Sequence, residues 1–433
     1  MGVSEVAARV VATVGGAALL LRRMSGGTPA PAMGTAPTIP AGAPQNIPTL
    51  KMPTARGFAP GELPVAAPGL KVNAFATGLK HPRWMKVLPN GDVIAAESLT
   101  QPGHIRTPFD YAIYVTMKRA AAVGPSPNRL IRLRDADGDG VAESREVFLD
   151  GLNQPFGMEL VGDTFYVGNA DGVFAFPFDH GKMAVTGGGK RLTTYKTGGH
   201  WTRSLLATKD GKRMFVGVGS QGNIDENGAA AEEGRAAIHE IDLETGTSRI
   251  FASGLRNPVG LAFEPETGKL WTVVNERDGL GDETPPDYLT SVTEGGFYGW
   301  PHSYWGQIVD DRAAANPAKV ATALTPDFAL GGHTASLGLC WLPEGVLPGF
   351  GKGMVIGQHG SWNRSTLSGY RVLFVPFENG KPAGPSRDIL TGFLSDDEKF
   401  SRGRPVGVSI GPDGRSLLVA DDVGDAIWRV TAA

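Results

Sequence analysis

Residues 254–276 read GLRNPVGLAFEPETGKLWTVVNE. A polar lead-in (Arg256-Asn257-Pro258) opens an apolar strand. A tight turn at Pro265-Glu266-Thr267-Gly268 follows, then a second apolar strand that ends in polar residues. Two β-rich runs around a turn of this kind form a hairpin. The grammar recurs six times, at 80–97, 151–169, 198–220, 254–276, 336–360 and 401–422. Six similar units, none able to bury both faces alone, imply radial repetition, and so an all-β six-bladed β-propeller with long inter-strand loops. A β-sandwich or two stacked sheets is the competing arrangement.

Working outward, the last strand (Ala426–Thr431) and Leu70–Leu79 are expected to share one blade and close the ring. Spacing between copies runs from under 50 to about 80 residues, too irregular for a WD40-like array. The extra length belongs in loops, where propellers put function. Residues 98–126 lack clear periodicity and read as an insertion, and 277–330 is a long excursion. The 433 residues carry 61 Gly and 32 Pro with 41% hydrophobic content, which suits a turn-rich all-β chain. A net charge of −3 leaves no basic footprint for nucleic acid. The one cysteine, Cys340, excludes an intrachain disulfide and reads as a buried, inert thiol.

Val10–Leu21 is a 12-residue apolar run, shorter than the ~20 residues of a membrane-spanning helix. It resembles a signal-peptide core, although Glu5 precedes it and Arg22-Arg23 follow. Residues 1–24 are therefore expected to export or anchor the protein, on the periplasmic side of a membrane if one is present. Residues 25–69, rich in Pro, Ala and Gly, read as a flexible linker, and 70–433 as the propeller.

The lead-ins of a propeller's inner strands converge on one central mouth. They place there His81, Asn153 with Gln154, His200 with Arg203, Arg256 with Asn257, and Arg402 with Arg404. The fifth copy contributes instead from its exit, at residues 358–364, which include Asn363 and Arg364. Several arginines and histidines with few carboxylates call for an anion. His200 is the best general base among them. A second signal is Asp135-x-Asp137-x-Asp139-Gly140-Val141, with Glu146 at the twelfth position. This matches a calcium loop whose ligands are the carboxylates and the Val141 carbonyl, and it is read as structural. No Gly-rich phosphate loop, nucleophile elbow or zinc spacing is present.

GLRNPVG, GHWTR, EGGFYGWP, HGSWNRS and the RGRPVG to VADD run together resemble the soluble glucose dehydrogenase and L-sorbosone dehydrogenase family, closest to the sorbosone branch. Members are six-bladed propellers that use pyrroloquinoline quinone (PQQ) and calcium. The resemblance covers about residues 70–433. It implies His200 as the catalytic base, and Arg256, Asn257, Arg402 and Arg404 as PQQ ligands. It further implies a contribution from Asn153 or Gln154, and Asn363 or Arg364 in place of the family's lysine. Cofactor calcium would sit on the carbonyls of Asp278-Gly279, and Trp341 would line the substrate cleft. Gly199 stands where glucose dehydrogenases have an acidic residue, which puts glucose itself in doubt. The implied reaction is oxidation of an aldose or sugar aldehyde, with electrons leaving to an external acceptor. The alternatives are a calcium-dependent lactonase-type propeller, which needs metal-ligating carboxylates on the axis, and a non-catalytic binding propeller.

Overall fold

The structure, a computed structural model, describes residues 32–45, 49–103 and 105–433; the expected export segment lies outside them. Six antiparallel sheets form the blades. Their inner strands are Pro82–Val87, Met158–Val161, Leu205–Ala207, Pro258–Phe263, Ser336–Leu342 and Pro405–Ile410. We number the blades 1 to 6 in that order. Blade 6 takes its outermost strand, Leu70–Ala76, from the other end of the propeller sequence, and that strand pairs antiparallel with Ala426–Ala432. The ring closes as the pattern predicts.

A three-residue signature explains how the inner strands pack around the axis. Four of them open Pro/Ser-x-Gly: Pro155-Phe-Gly157, Pro258-Val-Gly260, Ser336-Leu-Gly338 and Pro405-Val-Gly407. A Cβ on Gly157 would collide with the Ser204–Leu205 backbone, and one on Gly338 with that of Val406. Glycine here lets neighbouring blades approach backbone to backbone. Farther from the axis, large side chains fill the wedges between blades: Trp84, Phe156 and Trp201 between blades 1, 2 and 3, and Trp271 with Phe377 between blades 4 and 5.

Two expectations need revision. The described part of the 25–69 linker is not free. Met33–Gly34 adds to the edge of blade 4, Thr54–Ala55 pairs with Phe400–Ser401, and Val65–Ala66 adds to the edge of blade 5. Exposed sheet edges supplied unpaired N–H and C=O groups that a Pro-rich segment could satisfy. The 98–126 insertion contains a helix, Pro108–Arg119. Its start was legible: Thr107 and Asp110 form a reciprocal capping box, with Pro at the first position.

Candidate functional site

In an antiparallel hairpin the first residue of one strand lies beside the last of the next. Pro82 pairs with Glu97, Ser336 with Gln358 and Pro405 with Asp421. The mouth is therefore lined by the exits of the second strands as well as by the lead-ins. The exits supply Ser220, Glu276, His359 and Asp422, and they change its chemistry.

His200 is held by its own loop. Its Nδ1 lies 2.8 Å from the Ser220 carbonyl, which requires Nδ1–H as donor and leaves the lone pair on Nε2. Burial, then the Arg256 charge, pushes its pKa down to about 3, so the ring is neutral. Arg235 fixes the backbone beneath, donating to the carbonyls of Gly198, His200, Gly219 and Ser220. Gly219 brings His200 beside Asn257: a Cβ there would lie 2.6 Å from His200 Cβ and would overlap Asn257 Oδ1. Gly199, at φ +58°, packs on the Gln221 backbone with no room for a Cβ. An acidic side chain at this position is sterically excluded here.

Arg256 and Asn257 anchor one side of the mouth. Arg256 donates to the Glu276 carbonyl at 2.8 Å and to Asn223 Oδ1 at 3.0 Å, and lies 3.7 Å from the Asp278 carboxylate. Asp278 also accepts from Asn363 at 2.5 Å and faces His333 at 3.3 Å. Burial would raise the Asp278 pKa, but His333, Arg256 and Asn363 outweigh it and hold it at about 2. The same carboxylate raises the His333 pKa against burial. Asn257 donates to Asn275 at 3.2 Å, and its Oδ1 is buried without a partner.

The other side centres on Asp422. Its Oδ2 receives Arg83, His359 Nε2 at 2.7 Å and His81 Nε2 at 3.1 Å. Burial works against ionisation, but these partners keep Asp422 well below the usual carboxylate range. Burial, then Arg404, lowers the His359 pKa to about 3. Arg404 donates to the carbonyls of His359 and Gly360, both at 3.1 Å, and lies 5.6 Å from the Tyr370 ring centroid. Among the described residues no carboxylate pairs with it.

The structure thus brings together His200, Arg256, Asn257, Asn363, Asp278 and Arg404, but several expected members point elsewhere. Arg402 turns outward to Glu62 at 2.7 Å and to the Leu394 carbonyl. Arg203 is fully buried under the His200 loop, donating to the carbonyls of His200 and Thr202 and stacking on Tyr195. Arg364 pairs with Glu283 and two carbonyls. Trp341 sits near the far end of its inner strand, against Phe377. At ~3.3 Å per residue it lies well below the mouth, which Ser336 reaches. Its neighbour Cys340 is only partly buried, with a pKa pushed up to about 12 by burial. Gln154, at φ +48°, spends its amide on the Leu99 carbonyl.

Two chemical expectations are corrected. The mouth is not poor in carboxylates: Asp278 and Asp422 compensate Arg256 and Arg83, and the remaining receptivity to an anion rests on Arg404. Nor do the Asp278-Gly279 carbonyls suit calcium. The Asp278 carbonyl accepts from Asn223 and Arg277, and the Gly279 carbonyl from Gln45 and Arg312. Two guanidinium groups on a ligand set repel a divalent cation.

The acidic loop does gather, with one substitution. Asp135, Asp137, Asp139 and Glu143 bring their oxygens within 4.8 Å of one another. Glu146 does not join them. It lies opposite Arg132 in the strand pair and is salt-bridged to it, so sheet register directs it away. Glu143, two residues beyond Val141, takes its place.

Fold and site together define a six-bladed propeller with a polar, anion-receptive mouth around an oriented neutral histidine. The chain belongs to the TrAA12-like family, whose model matches residues 64–286 and 307–433. It is 24% identical over 373 residues to a pyrroloquinoline quinone-dependent pyranose dehydrogenase of Coprinopsis cinerea, covering 68% of this chain and 48% of that protein. It is 32% identical over 235 residues to an uncharacterized protein of Borreliella burgdorferi, covering 53% of this chain and 60% of that one. The chain thus spans about half to three-fifths of the length of these relatives. The calcium structure of the Trichoderma reesei family AA12 enzyme shares the fold, with a TM-score of 0.70 at 21% identity over 86% of this chain and 97% of that one.

Proposed function

We propose that the protein is a PQQ- and calcium-dependent dehydrogenase that oxidises an aldose or a sugar aldehyde of the L-sorbosone type, passing electrons to a separate acceptor. The observation that carries this reading is His200. Its Nδ1–H is fixed on the Ser220 carbonyl, which leaves the Nε2 lone pair as the base, and the ring feels the Arg256 charge with Asn257 packed nearby across Gly219. The residues present fit the cofactor. The Arg404 guanidinium has only carbonyl partners, so it is available to a carboxylated ligand.

When bound, PQQ supplies a two-electron acceptor that no side chain provides. Arg256 and Arg404 would hold its carboxylates. His200 Nε2 takes the proton from the substrate hydroxyl or aldehyde hydrate. Arg256 lowers the basicity of His200 in the empty mouth, and a bound anion that neutralises this guanidinium would raise it. The two arginines stabilise negative charge as it develops. Calcium belongs, in this reading, to the Asp135–Glu143 loop. Reconstitution with PQQ and calcium should give reduction of an artificial dye with aldoses or sorbosone. No reduction across an aldose and aldehyde panel would overturn the proposal.

A lactonase-type hydrolase is disfavoured. Among the described residues the only cluster of metal-ligating side chains is the Asp135 loop. Of the mouth carboxylates, Asp278 and Asp422 are engaged by arginine and histidine, and Glu276 accepts the Arg277 backbone N–H. The reading also carries the periplasmic, or periplasm-facing membrane, location expected from residues 1–24; cell fractionation tests it.

A further inference from the structure

The family match begins at residue 64, yet the described residues upstream of it touch the mouth's own loops. Ala43 and Gln45 donate to the carbonyls of Leu280 and Gly279, immediately after Asp278. Lys51 N–H donates 2.8 Å to the Trp362 carbonyl, immediately before Asn363. Lys51 Nζ donates 2.8 Å to the Ser365 carbonyl and pairs with Glu398, so one residue closes both ends of the 362–365 turn. Beyond it, Thr54–Ala55 continues alongside Phe400–Ser401, and Phe58 packs on Phe393 and Trp428, which fixes the segment. Asn363 in turn ties Asp278 to His333.

We propose that Lys51 is a positioning residue of the mouth: it clamps the 362–365 turn so that Asn363 holds Asp278 and His333 in place beside Arg256. Residues 32–45 and 49–62 are then part of the site's architecture. This rests on the dehydrogenase reading only for its functional consequence, since the clamp itself is a structural claim. Lys51→Ala keeps the backbone bond to Trp362 but frees the Ser365 end of the turn, which lets Asn363 leave Asp278; Asp278 then binds Arg256 more tightly, in competition with an anionic ligand.

The test compares full-length wild type, Lys51→Ala and Lys51→Arg, with Glu62→Gln as a control at the outward Arg402 pair. Hydrogen exchange of the 361–368 amides is measured without cofactor, and PQQ affinity by fluorescence titration. Lys51→Ala should speed exchange in 361–368 severalfold and weaken PQQ roughly tenfold, the scale of one charge-assisted hydrogen bond. The melting temperature should stay within a few degrees, Lys51→Arg should restore both readouts, and Glu62→Gln should change neither. Unchanged exchange in Lys51→Ala, or an affinity loss that tracks global destabilisation and is not rescued by Arg, would overturn the clamp. If wild type binds no PQQ, the dehydrogenase reading falls, and the exchange result still decides the clamp.

Discussion

His200 shows how a single side chain is tuned by its surroundings. Its Nδ1–H is committed to Ser220, and burial with Arg256 lowers its pKa from 6.5 to about 3. The imidazole of the cofactor-free protein should therefore show no NMR titration between pH 8 and 5. Removing the base, as His200→Gln, should lower the turnover of reconstituted protein by about 10²–10⁴-fold while PQQ binding persists, the usual weight of a general base. Steady-state rates beside a PQQ titration check both halves. The two arginines of Arg402-Gly-Arg404 should behave oppositely. Arg404→Ala should weaken PQQ about tenfold or more, because a buried guanidinium on a carboxylate is a strong contact. Arg402→Ala should leave affinity unchanged, since its partner is Glu62. Equal losses in both variants would contradict the observed orientations. Residues two apart in an extended chain share a face, but the chain bends at Arg402, where the Arg402 and Gly403 N–H groups both donate to the Phe393 carbonyl, and the two side chains part.

The element that most sharpened between sequence and structure is the acidic loop. Its oxygen spacing announces a cation site, yet the twelfth-position ligand belongs to the next strand and is captured by Arg132. Calcium titration should raise the melting temperature by mass action. Asp137→Asn should abolish that rise, Glu143→Gln should weaken it, and Glu146→Gln should leave it intact. A rise lost in Glu146→Gln but kept in Glu143→Gln would restore the helix-type ligand assignment. The insertion helix offers a second case. Thr107→Ala should cost about 1 kcal/mol of local helix stability, read as faster exchange in 108–119, because it removes one half of the capping box. That signal lay in four residues, Thr107-Pro-Phe-Asp110, which a search for long periodicity passes over.

At the scale of the whole molecule, closure and charge burial set stability. Blade 6 joins the chain's last strands to Leu70–Ala76, with Trp428 buried between Phe58 and Asp421. Trp428→Ala should cost about 3–5 kcal/mol in denaturant unfolding, the usual penalty for a buried aromatic. Buried neutral histidines also make the fold acid-sensitive. The His359 pKa falls from 6.5 to about 3 on folding, so between those values the unfolded chain binds one more proton and acid favours it. His359→Gln should therefore lose less stability than wild type on acidification from pH 6 to 4, by about 1.4 kcal/mol per pH unit. Urea titrations at several pH values measure the difference. By itself the sequence determined the propeller, its six hairpins, its closing strand and most of the lead-in residues, because turn chemistry and period-two alternation are local. Only the tertiary structure decided which of those side chains meet. Antiparallel pairing brings Glu276, His359 and Asp422 from strand exits to the mouth, so arginines that look uncompensated along the chain are paired in space. Sheet edges left open by the blades likewise recruit Met33–Gly34, Thr54–Ala55 and Val65–Ala66, and nothing in a Pro-rich stretch announces an edge formed hundreds of residues away.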